Sequence, residues 1–568
     1  MPPSPTREPL NKHVGIPQVQ PGESLEPRRG RPLHNILIEG GTVVDGTGSL
    51  GEPLDVAIDG AKIARLCKRS EAKGAIRIDA RGLIVCPGFI DIHSHSEFQL
   101  LTNPLAESKI RQGITTELVG NCGSSPAPAI GVARESLAGY AELAEVKLNW
   151  VTMDEYLLRL SNLKTSVNVA TLVGAGTLRE CVIGNSDIKA GEDELARMNQ
   201  LLADAMLQGG IGLSSGLIYV PGCFASTEEL VSLASTSASL GGFYASHIRG
   251  EGRTLIKAVE EAIRIGREAH SRVEISHHKA CGRPSWGTVD RTIAMIEQAR
   301  EQGVDVSFDV YPYTASCTAL DTLLQPWARE GSDEEIIARI RDPQTRKRII
   351  HEFVTPTESM EDIVTDTGWE NINVVGLMSD VYRSFDNKTI AEIAEVMGKD
   401  PAETTLDILV EENLQPYAIF HEMAEDDVIK VICHPLAAIG SDGEAETPYG
   451  PSGKHATHPR AYGTFPRALR KYAIDKKLVP MEELIRRMTS WPAQRIGLQN
   501  RGVLASGMAA DVVAFDPEKI RDLATYEDSH RYPEGIECVI VNGAVTIDHG
   551  EHTKERAGQV LRHKPSIA

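Results

Sequence analysis

Apolar and polar positions along this chain follow two different rhythms. Near both ends, short runs alternate apolar and polar residues between glycine-rich turns. They are ILIEGGTVVDGTG from Ile36, DVAIDGAKIARL from Asp55 and IRIDARGLIV from Ile76, then DVVAF from Asp511 and ECVIVNGAV from Glu537. A period of two marks half-buried strands, so residues 35–85 and 497–568 are expected to pair into one discontinuous β-sandwich. Between them, in residues 86–496, short apolar runs alternate with stretches of helical periodicity such as 192–208 and 254–270, as in a parallel sheet with covering helices. The expected strands are 83–91, 114–119, 167–173, 211–214, 243–247, 273–277, 304–310 and 437–442. Eight strands suit a closed barrel, and the fold class read from the pattern is α/β, a TIM-like (β/α)8 barrel with a small β-sandwich. Residues 314–414 are too long for one helical connection and are expected to form an inserted subdomain over the barrel mouth. An apolar run at 373–377 is the alternative barrel strand. Residues 1–34, rich in Pro, Arg and Glu with little periodicity, read as a flexible arm.

Composition narrows the function classes. At 41% apolar and 24% charged, the 568 residues have the balance of a globular protein with a large core. A formal net charge of -20 argues against nucleic acid or an anionic membrane as partner, because both need clustered Lys and Arg. No apolar run is long enough to cross a bilayer, and the N-terminal stretch lacks the apolar segment of a signal peptide. Nine cysteines scattered through apolar strands fit reduced thiols better than a disulfide framework. The expectation is a cytoplasmic protein.

The chemistry sits at the strand ends. Five of the apolar runs stop at His93 and His95, Cys122, His247, His277 and Asp442. In a parallel barrel the C-terminal strand ends converge on one mouth, so residues far apart in sequence can meet around one metal ion. Residues two apart on a strand face the same way, so His93 and His95 can share one ion. A thiolate among imidazoles points to zinc over magnesium or calcium. In the pair His277–His278, His277 is taken as the ligand and His278 as structural. Asp442, in IGSDG, is placed to move protons beside a metal.

The segments PGFIDIHSH, GITTELVGNCG, GLSSGLIYVPG, SHIRGEG, ISHHK, YPYTA, IGSDG, HPRAYGTFPR and MTSWPAQRIGL resemble, in this order, the N-acyl-D-amino-acid deacylase branch of the amidohydrolase superfamily. The resemblance covers roughly residues 36–545. It implies a TIM-like barrel with a β-sandwich and a small insert, and zinc-dependent hydrolysis of an N-acyl amide. It implies that Cys122, His247 and His277 hold the tighter zinc, and that His93, His95 and Asp442 form a second, weakly filled position. By the same resemblance Asp442 is the general base and then the acid. No lysine lies between Lys109 and Lys147, so no carboxylated lysine can bridge two metals beside GNCG, and Cys122 is the natural substitute.

The resemblance also implies which groups hold the substrate carboxylate. Lys279, Tyr219 and Arg460 are the candidates, with help from Arg249 and from Tyr311 or Tyr313. Arg supplies a fork, Lys a point charge and Tyr a hydrogen bond. Ala175 departs from the pattern, since relatives often carry a histidine there. No arginine occurs in residues 311–328, which leans the expected side chain towards neutral or hydrophobic, with Arg329 as the residue that could reverse this. Two other readings stand beside the leading one: a hydrolase of a cyclic or specialised amide, and a barrel scaffold without catalysis. The expected partner is a small-molecule N-acyl amino acid.

Overall fold

The computed structural model describes residues 34–69, 71–355 and 362–563. Residues 1–33, which make up nearly all of the expected arm, lie outside them, and His34 already opens a strand, His34–Glu39.

Eight short parallel strands form the central barrel. In chain order they are Phe89–Asp91, Ile114–Val119, Asn168–Thr171 continued by Val173–Gly174, Leu213–Gly216, Tyr244–His247, Val273–Ile275, Val306–Val310 and Ala437–Ile439. Each pairs with the next in parallel register, for example Leu213 with Tyr244 and Phe308 with Ala437. Closure falls between the last strand and the first, just past their ends. Asp442 N donates to His93 O at 2.8 Å, and Ser94 and Gly443 form a parallel bridge. The seam of the barrel therefore lies at two of the predicted ligand positions.

Several strand boundaries differ from the periodicity reading. The run 83–91 divides at Gly88: Ile84–Pro87 pairs antiparallel with Val512–Phe515 outside the barrel, and Phe89–Asp91 enters it. The alternative barrel strand at 373–377 is excluded, because Ile372–Val375 pairs antiparallel with Tyr417–Phe420 in a separate four-stranded sheet. That sheet and the helices around it bury their own apolar cluster, including Leu320, Ile372, Leu406 and Phe420.

Outside the barrel, His34–Glu39, Leu54–Asp59, Lys62–Lys68 and Gly74–Asp79 form one sheet. Thr42–Val43, Ile84–Pro87 and the four strands between Val512 and His552 form another. Ile36, Val56, Val512 and Ile540 share the core between them. The last described residues leave this core. Gln559 O accepts from Val169 N and Leu561 N donates to Val169 O, so the tail adds an edge to the third barrel strand. No helix of the described residues is long and apolar enough to cross a membrane.

Candidate metal centre

Three of the strand-end residues adopt a backbone conformation that side chains other than glycine seldom take. Cys122 has φ of 52°, His277 37° and Asp442 52°. Each lies at or just beyond the end of a buried strand, where the chain turns sharply and swings the side chain into the mouth. Such left-handed residues cost of order 1–3 kcal/mol and persist where the surroundings hold them. Glycines make the Cys122 turn possible: Gly123 follows at φ of 79°, and a Cβ on Gly216 would meet Cys122 O at 2.1 Å.

The side chains meet in two overlapping groups. His93, His95, Cys122 and Asp442 bring one ligand atom each within 4.8 Å of one another, and so do Cys122, His247 and His277. Cys122 Sγ stands 3.3 Å from His93 Nε2 and 3.5 Å from His277 Nε2. Asp442 Oδ1 stands 3.0 Å from His95 Nε2 and 3.3 Å from His93 Nε2.

Burial works against charge on all of these groups, and their neighbours decide the outcome. Burial raises the Cys122 thiol, but His93, His247 and His277 outweigh it and hold the group well below the thiol range. Burial also raises the Asp442 carboxyl, which Arg460 and His93 hold well below its ordinary value. His93 moves well above the usual imidazole range because Asp309, Cys122 and Asp442 overcome its burial. His247 moves down, chiefly through burial, towards the neutral imidazole that binds metals. Its Nε2 is buried and has no hydrogen-bond partner among the described residues. A thiolate, neutral imidazole and an unsatisfied ring nitrogen are donors that suit zinc.

Two carboxylates missed by the sequence reading orient these ligands. Glu251 Oε1 lies 2.9 Å from His277 Nδ1 and 2.7 Å from Lys279 Nζ. Asp309 Oδ1 lies 3.2 Å from His93 Nδ1 and accepts the His277 backbone N–H at 2.8 Å. Asp309 thus touches a member of each group. Carboxylates behind imidazole ligands fix the ring and its tautomer. Asp309 interrupts the apolar run VSFDV, and Glu251 stands four residues after His247 within SHIRGEG; these were the available signals.

The remaining predicted residues divide. Tyr311 packs near two cations, with Lys279 Nζ 5.6 Å and Arg460 Cζ 5.1 Å from its ring centre, and its buried hydroxyl has no partner among the described residues. Tyr219 OH reaches His247 Nδ1 at 3.4 Å and Thr318 Oγ1 at 2.9 Å. Arg460 donates to Asp442 Oδ2 at 2.6 Å and to Cys317 O at 3.0 Å. Tyr313 is bound differently: its hydroxyl donates to Pro459 O at 3.3 Å and its ring lies against Arg467. The Arg249 guanidinium clasps Glu261 and the carbonyls of Cys223 and Ala225. His278 Nε2 pairs with Thr292 Oγ1 at 2.9 Å. Ala175 opens the helix Ala175–Val182, whose flanking Gly174 abuts Gly123 O behind the Cys122 turn.

Comparison with known proteins follows the same lines. Residues 77–547 match the model of the amidohydrolase family. The chain is 35% identical to a D-aminoacylase of Alcaligenes xylosoxydans xylosoxydans over 532 residues, 93% of this chain and 97% of that protein. It is also 35% identical to an N-acyl-D-glutamate deacylase of the same organism, covering 94% and 98%. The crystal structure of N-acyl-D-glutamate deacylase from Bordetella bronchiseptica, complexed with zinc and a phosphonate mimic of the tetrahedral intermediate, superposes with a TM-score of 0.79. It is 32% identical and covers 94% of this chain and 100% of that one.

Proposed function

Since the chain belongs to the amidohydrolase family, we propose that it hydrolyses the amide bond of N-acyl-D-amino acids with the help of zinc, releasing a carboxylate and a free D-amino acid. The observation that carries this reading is Tyr311: its buried hydroxyl has no partner among the described residues, and Lys279 and Arg460, the latter paired with Asp442, both lie near its ring. An α-carboxylate would satisfy that hydroxyl and lie against both cations.

Cys122, His247 and His277 would hold the tighter zinc, and His93, His95 and Asp442 a second, weaker position. Zinc bound there supplies a Lewis acid that polarises the acyl carbonyl and makes water a nucleophile at neutral pH. Asp442, ionised beside Arg460, accepts the proton of the attacking water and delivers it to the departing amine nitrogen. Glu251 and Asp309 keep the His277 and His93 rings in place while this happens. Arg460, Lys279 and Tyr311 orient the substrate so that one enantiomer presents its amide to Asp442.

The preferred side chain is neutral or hydrophobic. Arg329, the cation that could meet an acidic side chain, is buried and donates through Nη2 to Ile218 O at 2.7 Å, while its Nε has no partner among the described residues, so it stays the residue that could reverse this preference. Lys279 and Arg460 are assigned to the α-carboxylate, so neither is left for a second, side-chain carboxylate.

The test is free amine release, followed by chiral chromatography, from matched N-acetyl-D- and N-acetyl-L-amino acids with zinc-supplemented protein. Release from D-leucine and D-methionine derivatives alone supports the reading. Faster release from the D-glutamate derivative overturns the side-chain assignment, and no release from any linear amide overturns the activity.

A further inference from the structure

Behind the ligand-bearing seam of the barrel lies a buried cation that the mechanism above does not use. Lys109, in the short helix Glu107–Ile110, is fully buried. Its Nζ reaches Asp91 Oδ2 at 2.9 Å, Ser441 Oγ at 2.8 Å and Gly443 O at 2.8 Å. Three short contacts match the three N–H bonds of an ammonium. Ser94 Oγ at 3.2 Å and Glu117 Oε2 at 3.5 Å complete its surroundings.

These partners are the immediate neighbours of ligands. Ser94 separates His93 from His95, and Ser441 and Gly443 flank Asp442. Asp91 extends the same network: its Oδ1 accepts the Ser441 N–H at 2.8 Å and the His93 N–H at 3.3 Å, and its Oδ2 accepts the Ser441 hydroxyl at 2.5 Å. Ser94 and Ser96 both donate to Glu117 Oε2, at 2.5 and 2.6 Å. Among the described residues, none of the groups Lys109 touches adjoins His247 or His277.

We propose that Lys109 is a positioning residue for hydrolysis: it locks the ends of the first and last barrel strands together and so sets His93 and His95 against Asp442. The inference rests on the metal reading above. Asp442 sits in a left-handed backbone conformation, which relaxes unless its neighbours are held, and Lys109 holds the residue on each side of it. Replacing a whole buried ion pair by apolar groups is often neutral or stabilising, whereas removing Lys109 alone leaves Asp91 buried without its cation and destabilises the fold, so a loss of stability does not by itself report positioning. A cation bonded to both flanks of a ligand serves geometry.

The experiment uses the full chain with Lys109→Met, Ser441→Ala and wild type, titrated with cobalt(II) in place of zinc. The thiolate-to-cobalt absorption that grows with the first equivalent reports the group of Cys122, His247 and His277, and metal analysis reports the total bound at each equivalent. Lys109→Met should keep the thiolate band while its affinity for the second equivalent falls about 10- to 100-fold, the usual effect of losing an outer partner of a metal ligand. Its kcat should fall over the same range with KM within about threefold, the signature of a group acting only on the reacting geometry. Ser441→Ala keeps two of the three short contacts and should show the same selective pattern at several-fold size, which decides the matter if Lys109→Met does not fold. Equal weakening of both equivalents overturns the proposal. So does a lowered melting temperature with both affinities and kcat unchanged. If wild type hydrolyses no amide, the activity reading falls, while the two cobalt affinities still judge Lys109.

Discussion

Arg460 Nη1 holds Asp442 Oδ2 at 2.6 Å, and the other oxygen of that carboxylate faces His95 Nε2 at 3.0 Å. One carboxylate thus joins the cation meant for the substrate to the imidazoles meant for the metal. The pairing keeps Asp442 ionised and fixes which oxygen faces the ligand groups. On the proposed reading, substrate binding and proton transfer would meet at that side chain.

Replacing the carboxylate by an amide separates these roles. Asp442→Asn preserves size and removes the proton acceptor, so kcat should fall about 10²- to 10⁴-fold, the range for a lost general base. Tight zinc at Cys122, His247 and His277 should survive, as read by metal analysis after gel filtration. Activity near wild type would remove Asp442 from the mechanism.

The two tyrosines of YPYTA have opposite surroundings and should behave differently. Tyr311→Phe deletes the unpartnered hydroxyl of the ring that Lys279 and Arg460 lie near. It should raise KM several-fold to about 100-fold, as for a lost hydrogen bond to a charged group. Tyr313→Phe loses a bond to Pro459 O and should leave KM within about twofold. Steady-state kinetics on one D-substrate decides between them, and a larger effect at Tyr313 would reverse the assignment.

Cys122 belongs to both ligand groups, so its loss cannot be confined to one of them. Cys122→Ser should weaken the tight zinc by more than the roughly 10- to 100-fold typical of outer partners. His95→Asn should leave that zinc in place. Competition with a chelator measures both, and equal retention in the two variants would show that the thiolate is not a ligand.

Glu446 links stability to pH through a buried acid. It is 5% exposed, and burial, aided by nearby Glu444, pushes its carboxyl up from 4.5 to about 8. The folded state therefore keeps a proton that the unfolded chain releases. Stability from this group is fully present below pH 4.5 and declines as pH rises through about 8, with a limiting slope of about 1.4 kcal/mol per pH unit. Glu446→Gln cannot ionise, so its melting temperature should fall less than that of wild type between pH 5 and pH 8. Parallel curves for the two proteins would count against a protonated Glu446.

Much of this molecule is legible in the order of its residues. Period-two runs mark the sandwich strands, and the alternation of apolar runs with helical segments marks the barrel. The ligand positions are visible because a short apolar strand must end at the mouth, and whatever follows it projects there. His93, His95, Cys122, His247, His277 and Asp442 all stand at such ends. Strand parity further places His93 and His95 on one side.

The tertiary structure alone decides what stands behind the ligands. Glu251, Asp309 and Lys109 are charged residues of types that usually face water; the apolar run VSFDV around Asp309 and the place of Glu251 four residues after His247 are the local hints, and nothing comparable marks Lys109. Tyr311 and Tyr313 both follow the strand Val306–Val310 with the same parity, yet Tyr311 packs near Lys279 and Arg460 while Tyr313 turns onto Pro459 and Arg467. Arg249, next but one to a ligand, is turned away by Glu261, a partner twelve residues on. The sequence determines which residues reach the mouth, because strand length and periodicity are local. Which of them carry charge into it, and which are already matched, depends on partners brought together by closing the barrel, and no local pattern encodes that pairing.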